Sequence, residues 1–300
     1  MEDPREILRK IRRLELRTRG RVDAAFSGQY RSVFKGRGMN FEEVREYQPG
    51  DEVRTIEWNV TARFGEVRGE AYVKKFTEER ELTVLLVVDV SGSGDFGSVS
   101  QSKRELAAEV ACVLAFSAIR NNDKVGLLLF SDRVELYIPP LRGRKHVLRM
   151  IREILFFEPK SRGTDLAGAL ERLGRVLHRR SVVFLLSDFQ APEFSRQLGF
   201  TARRHDLVAM PLVDPREETL PDMGTVRLED AETGELLEVA TGDARVRQAY
   251  AEAVSERAAN LTREFRRQQV DSVPLRTDRD WLPALQNFFR VREHRLGGRV

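Results

Sequence analysis

Residues 81–93, Glu81-Leu82-Thr83-Val84-Leu85-Leu86-Val87-Val88-Asp89-Val90-Ser91-Gly92-Ser93, decide how the whole chain is read. The run from Val84 to Val88 is apolar on both alternating faces. Such a strand has to be covered on both sides, as a central strand of a parallel sheet flanked by helices is. The run ends at an aspartate, and hydroxyl side chains follow at every second position.

Downstream, strands and helices alternate. A helix is expected over 101–120, strands over 124–130 and 134–140, helices over 144–156 and 165–178, and a second buried strand over 181–189. A helix near 193–204 leads to a strand over 206–213. A long helix over 244–269, a short strand over 271–276 and a closing helix from Trp281 complete the series. This alternation predicts an α/β fold, a doubly wound and mostly parallel sheet with helices on both faces. Residues 79–300 are assigned to that domain. Thr-Gly between two β-prone runs marks an exposed hairpin inserted near 224–241.

Residues 1–78 read differently, as an α+β region packed on the main domain. A basic helix carries Ile7, Leu8, Ile11 and Leu14 at helical spacing, a stripe expected to pack on the protein's own body. Short aromatic pieces follow, separated by Gly36-Arg37-Gly38 and Pro49-Gly50-Asp51 turns. Tyr47, Trp58, Phe64 and Tyr72 are expected to be buried against the main domain, because pieces this short cannot make a core of their own.

Among the 300 residues, 51 Lys and Arg face 47 Asp and Glu, a net charge of +4. So even a balance argues against a nucleic-acid binder, whose basic residues should dominate. No run reaches the ~18 apolar residues of a membrane span. The N-terminus is too charged for a signal peptide. The single cysteine, Cys112, lies in an apolar helical stretch and reads as a small buried hydrophobe. A reducing, cytoplasmic setting is the expectation that follows.

In doubly wound sheets, ligands bind at the carboxyl ends of the strands. Asp89, Ser91 and Ser93 follow the first buried strand. Thr164, within Arg162-Gly163-Thr164-Asp165, precedes a helix, and Asp188 ends the second buried strand. Carboxylate and hydroxyl oxygens at one place suit a hard cation, magnesium first, with manganese or calcium as alternatives. Each group also has a plainer reading. Asp89 and the serines can form an Asx-type turn, and Thr164 or Asp188 can cap a helix or loop. Two carboxylates and three hydroxyls would leave a divalent cation partly neutralised and receptive to an acidic side chain from a partner.

Asp89, Ser91, Ser93, Thr164 and Asp188 resemble, in order and context, the complete metal-ion-dependent adhesion site of von Willebrand factor A domains. The resemblance implies a von Willebrand factor A-like fold with the Asp89 strand central. It also implies that Ser91 and Ser93 bind the metal directly, that Thr164 binds directly or through water, and that Asp89 and Asp188 act largely through bound water.

A second resemblance covers almost the whole chain. Gly36-Arg37-Gly38, Arg45-Glu46-Tyr47, Pro49-Gly50-Asp51, Arg54, Ile56-Glu57-Trp58 and Thr61-Ala62-Arg63 resemble the signature of bacterial domain-of-unknown-function family 58. Thr277-Asp278, Leu285, Phe288-Phe289 and Arg292 are similar to that family's carboxyl end. Glu57 departs from the pattern, which has Asp there. The resemblance implies no assigned catalytic activity and a MoxR-type AAA+ ATPase as partner. The residues alone read more simply: a turn at Pro49-Gly50-Asp51, Trp58 as a core or interface anchor, and Arg45, Arg54 and Arg63 paired with Glu46, Asp51 and Glu57.

Other chemistries fit less well. Gly92-Ser93-Gly94-Asp95-Phe96-Gly97 matches G-x-G-x-x-G, but a dinucleotide site needs the glycines to turn straight from strand into helix. Here a strand-end carboxylate, which repels a pyrophosphate, comes first. No Walker or nucleophile-elbow motif is present. His146, His178, His205 and His294 fall in Arg-rich helical surroundings and are expected at the surface, so Ser91 has no base to activate it. The chain therefore reads as a non-enzymatic, metal-dependent protein-binding adaptor. A hydrolase using the same metal, or a scaffold with an incidental metal, are the alternatives.

Overall fold

The computed structural model describes residues 9, 11–16, 33, 40–68, 71–77, 81–99 and 101–297. The chain divides into two compact units, Lys35–Glu81 and the remainder.

In the smaller unit, β1 (Asn40–Glu46), α1 (Trp58–Arg68) and β2 (Tyr72–Thr77) follow in order, and the two strands pair antiparallel. Gly50 adopts φ +113°, which a residue with a side chain rarely tolerates, so the Pro49-Gly50 turn is as expected. Arg45 forks onto Asp51 at 2.7 and 2.8 Å. Glu57 pairs with Lys74 instead of an arginine. The expected burial of the aromatics is corrected: Trp58 is 67% exposed and Tyr47 37%. A two-stranded ribbon offers too little apolar face to cover them. Tyr72 is half-buried, and the Phe64 side chain lies outside the described residues.

The larger unit starts with a helical stretch at 11–16, whose Ile11 is buried and whose Leu14 packs on the core. Ile7 and Leu8 lie outside the described residues. Then come β3 (Thr83–Asp89), α2 (Lys103–Arg120), β4 (Lys124–Phe130), β5 (Val134–Leu141), α3 (Arg144–Phe156), α4 (Leu166–Val176), β6 (Val182–Ser187), α5 (Ser195–Arg204) and β7 (Asp206–Val213). After these stand α6 (Pro215–Glu218), β8 (Thr225–Glu229), β9 (Leu236–Ala240), α7 (Ala244–Arg267), β10 (Asp271–Ser272), β11 (Leu275–Arg276) and α8 (Leu282–Gly297).

The main sheet has the order β10-β7-β6-β3-β4-β5, with β11 also beside β7. Every pairing in it is parallel except β4 with β5. Alternation along β3 explains the layers. Val84, Leu86 and Val88 face a core shared with α2, α3 and α8, while Leu85 and Val87 face one shared with α4, α5 and α7. All five are fully buried. Each such side chain stabilises the fold by ~1.5–3 kcal/mol relative to exposure, so β3 contributes heavily to both cores. Cys112 is buried on α2, and β8 and β9 form the expected hairpin. No helix among the described residues is long and apolar enough to cross a membrane.

The closing residues serve packing and pairing. Leu285 and Phe289 are fully buried, and Arg292 pairs with Asp206 and Asp271.

His205 corrects the expectation of surface histidines. The residue, which ends α5, is 1% exposed, with no hydrogen-bond partner for either ring nitrogen among the described residues. Burial first, then the charges of Arg204 and Arg180, push its pKa down from 6.5 to about 4. The unfolded state therefore binds the proton more tightly. This share of stability is complete above pH ~6.5 and is lost as pH falls through ~4, by roughly 3 kcal/mol. Urea midpoints at pH 7 and pH 4.5 should fall further apart for wild type than for His205→Leu. Equal acid sensitivity in the two proteins would contradict this.

Candidate functional site

Strand order reverses beside β3: the chain proceeds to β4 on one side and later to β6 and β7 on the other. The crevice outside the carboxyl ends of β3, β6 and β7 is thus where a ligand is expected. Each of these strands ends at or just before an aspartate: Asp89, Asp188 and Asp214.

Asp89 is buried at the end of β3. Its Oδ1 accepts the backbone N–H of Ser91 at 2.9 Å, and its Oδ2 accepts the Ser187 hydroxyl at 2.7 Å. Ser91 is fully buried, and its Oγ lies 3.2 Å from the Oγ of Ser93. Burial, and secondarily the charge of Asp188, push the Asp89 carboxyl up to about 6, although hydrogen bonds from Ser91 and Ser187 pull it back. Ser93 lies near enough to Asp188 to help lower its pKa. Asp89, Ser91, Ser93 and Asp188 therefore stand together.

Thr164 is held differently. The backbone N–H of Gly92 donates to the Arg162 carbonyl at 2.9 Å, which ties the two loops. Asp165, not Thr164, caps α4, through the Gly168 N–H at 2.8 Å. The Thr164 hydroxyl is left to donate to Glu232 Oε1 at 2.5 Å. Glu232 comes from the turn between β8 and β9, and burial, with Asp188's charge in support, raises its carboxyl's pKa. The expected hairpin is present, but its tip reaches the site, and nothing in its own sequence signalled that.

Lys103 is the other residue that the sequence reading missed. Its side chain is 1% exposed, and its Nζ donates to Asp188 Oδ2 at 2.8 Å and Glu217 Oε1 at 2.6 Å. Burial opposes its charge, but the two carboxylates overcome that and raise its pKa. Burial likewise pushes Asp188 upward, and Lys103's charge and hydrogen bond bring it below the usual range. A signal did exist. Ser102 and Glu105 form a capping box, which puts Lys103 at the first position of α2. A cation there opposes the helix dipole, so it needs compensation from elsewhere. Asp214 is a fixing point: it accepts the Ser98 N–H at 3.0 Å, the Thr277 hydroxyl at 2.7 Å and the Ser98 hydroxyl.

Apart from Lys103, the side chains brought together around Asp89 present oxygen atoms, which fit a hard divalent cation. The buried, upward-shifted Asp89 carboxyl is the group that such a charge would relieve. Among the described residues no group of three or more His, Cys, Asp or Glu side chains forms a metal cluster, so a cation here depends on the hydroxyls.

The family described as "Protein of unknown function DUF58" matches residues 43–260. An uncharacterized protein of Mycobacterium tuberculosis is 35% identical over 295 residues, 97% of this chain and 91% of that one. Among solved structures, BatB from Bacteroides thetaiotaomicron is similar at 16% identity and a TM-score of 0.45, over 71% of this chain and 99% of that one. The SpRpn10 VWA domain is similar at 12% identity and a TM-score of 0.37, over 69% and 95%.

Replacing Lys103 by Met should leave the buried Asp188 carboxylate, and the half-buried Glu217, without their cation. Breaking one side of such a pair costs about 3–5 kcal/mol. Urea denaturation at pH 7 should show that loss, and a change below ~1 kcal/mol would mean the ion pairs do not hold the site.

Proposed function

Because the chain belongs to the DUF58 family, whose description assigns no function, we propose its role from the site itself: a non-enzymatic, metal-dependent protein-binding module. The observation that carries this reading is the buried Asp89 carboxyl, raised to about 6 beside Asp188, with the Ser91 and Ser93 hydroxyls 3.2 Å apart next to it. A hard cation supplies the missing positive charge. Ser91, Ser93 and Thr164 would offer hydroxyl oxygens, and Asp89 and Asp188 carboxylates, either directly or through water. When bound, the ion gives the site affinity for an external carboxylate.

The remaining residues support binding more than turnover. Asp89 is fixed by two hydrogen bonds and Asp188 by Lys103, so neither is free to shuttle a proton. The partner, on this reading, supplies an acidic side chain. The family resemblance makes a MoxR-type AAA+ ATPase the first one to test, with the pair acting in assembly or maturation of other proteins. A second reading draws on Lys103, which already neutralises part of the cluster: a scaffold whose permanent cation is an ammonium group.

Calorimetry with Mg2+ or Mn2+ on the full chain separates the two. One saturable site, absent in a folded Asp89→Ala variant, is expected, together with partner capture that EDTA abolishes. No saturable binding, or binding and capture indifferent to Asp89→Ala, would favour the scaffold.

A further inference from the structure

We propose that Glu232, at the tip of the β8–β9 hairpin, is the site's own acidic ligand: it fills the position that a partner's carboxylate takes. This rests on the metal-dependent reading above and names what competes at that site.

The hairpin is built to present this residue. Asp230 Oδ1 accepts the backbone N–H groups of Glu232 at 2.9 Å and Thr233 at 2.8 Å. The Gly234 N–H closes the turn on the Asp230 carbonyl at 2.8 Å, with Gly234 at φ +74°. The strands themselves are little covered: Leu228, Leu236 and Leu237 are all exposed. What seats the tip is therefore its contact with the site.

That contact is close. Glu232 Oε1 receives the Thr164 hydroxyl at 2.5 Å. A Cβ on Gly92 would lie 2.1 Å from the Ala231 carbonyl oxygen, so the hairpin backbone rests on the residue between Ser91 and Ser93. Arg162 pairs loosely with Glu229 at 3.7 Å. The tip thus meets both loops that supply hydroxyls. Glu232, half-buried, also lies within electrostatic reach of Asp188, and like charges partly shielded from water repel even though Lys103 pairs with one of them. A divalent ion among Ser91, Ser93 and Thr164 turns that repulsion into shared attraction. An incoming partner then has to displace Glu232, which selects for an acidic residue displayed on a tight turn.

Mn2+ is the probe, on the full chain, with calorimetric affinity and hydrogen exchange of residues 229–235 as readouts. In wild type, Mn2+ should slow exchange across the tip. Glu232→Gln should bind Mn2+ about tenfold more weakly, through loss of one charged ligand, and lose the added protection. Gly92→Ala, which alters neither Glu232 nor any of the five site side chains but drives the tip off the loop, should do the same. Mn2+ binding that needs Asp89 yet ignores Glu232→Gln and Gly92→Ala overturns this inference and leaves the functional reading standing. So does Mn2+ that speeds exchange at the tip. No Mn2+ binding by wild type or by either variant overturns both.

Discussion

The structure turns on holding a carboxylate at the end of a strand that is buried on both faces. β3 lies between β4 and β6, and Asp89 follows directly from its apolar run. An anion there cannot be hydrated freely, so its neighbours have to accommodate it. The Ser91 N–H and the Ser187 hydroxyl do so partly, and the pKa of about 6 measures what they leave undone. The charge pattern around the crevice follows from this deficit. Lys103 answers it for Asp188 and Glu217, and an ion held by the hydroxyls would answer it for Asp89 and Glu232.

Much of this was legible in the sequence because it is local. The double-faced apolar run of β3 implies two covering layers, and the cores on Val84, Leu86, Val88 and on Leu85, Val87 are those layers. The alternation of elements gave strands and helices close to their observed places, since period and turn chemistry act over a few residues. Asp89, Ser91 and Ser93 fall together because they share one loop, and Asp188 joins them because parallel pairing aligns the ends of β3 and β6.

What was not legible is long-range or depends on area. Lys103 meets Glu217 across 114 positions, and Thr164 meets Glu232 across 68. Neither spacing carries a period or a motif. Trp58 was expected to be buried because it is large, but burial needs a partner surface, and the small unit supplies little. His205 erred the other way: arginines flank it in sequence, while the residue is buried at the end of α5, where packing decides.

The central claim is that a divalent cation sits among Ser91, Ser93 and Thr164, and anomalous diffraction from Mn2+-soaked crystals tests it most directly. The account requires one anomalous peak there, within ~2.2 Å of the two serine hydroxyls, with Asp89 and Asp188 around it. Crystals in millimolar Mn2+ that show no such peak, with Lys103 still bridging Asp188 and Glu217, would contradict it. The ammonium group would then be the only cation that the site uses.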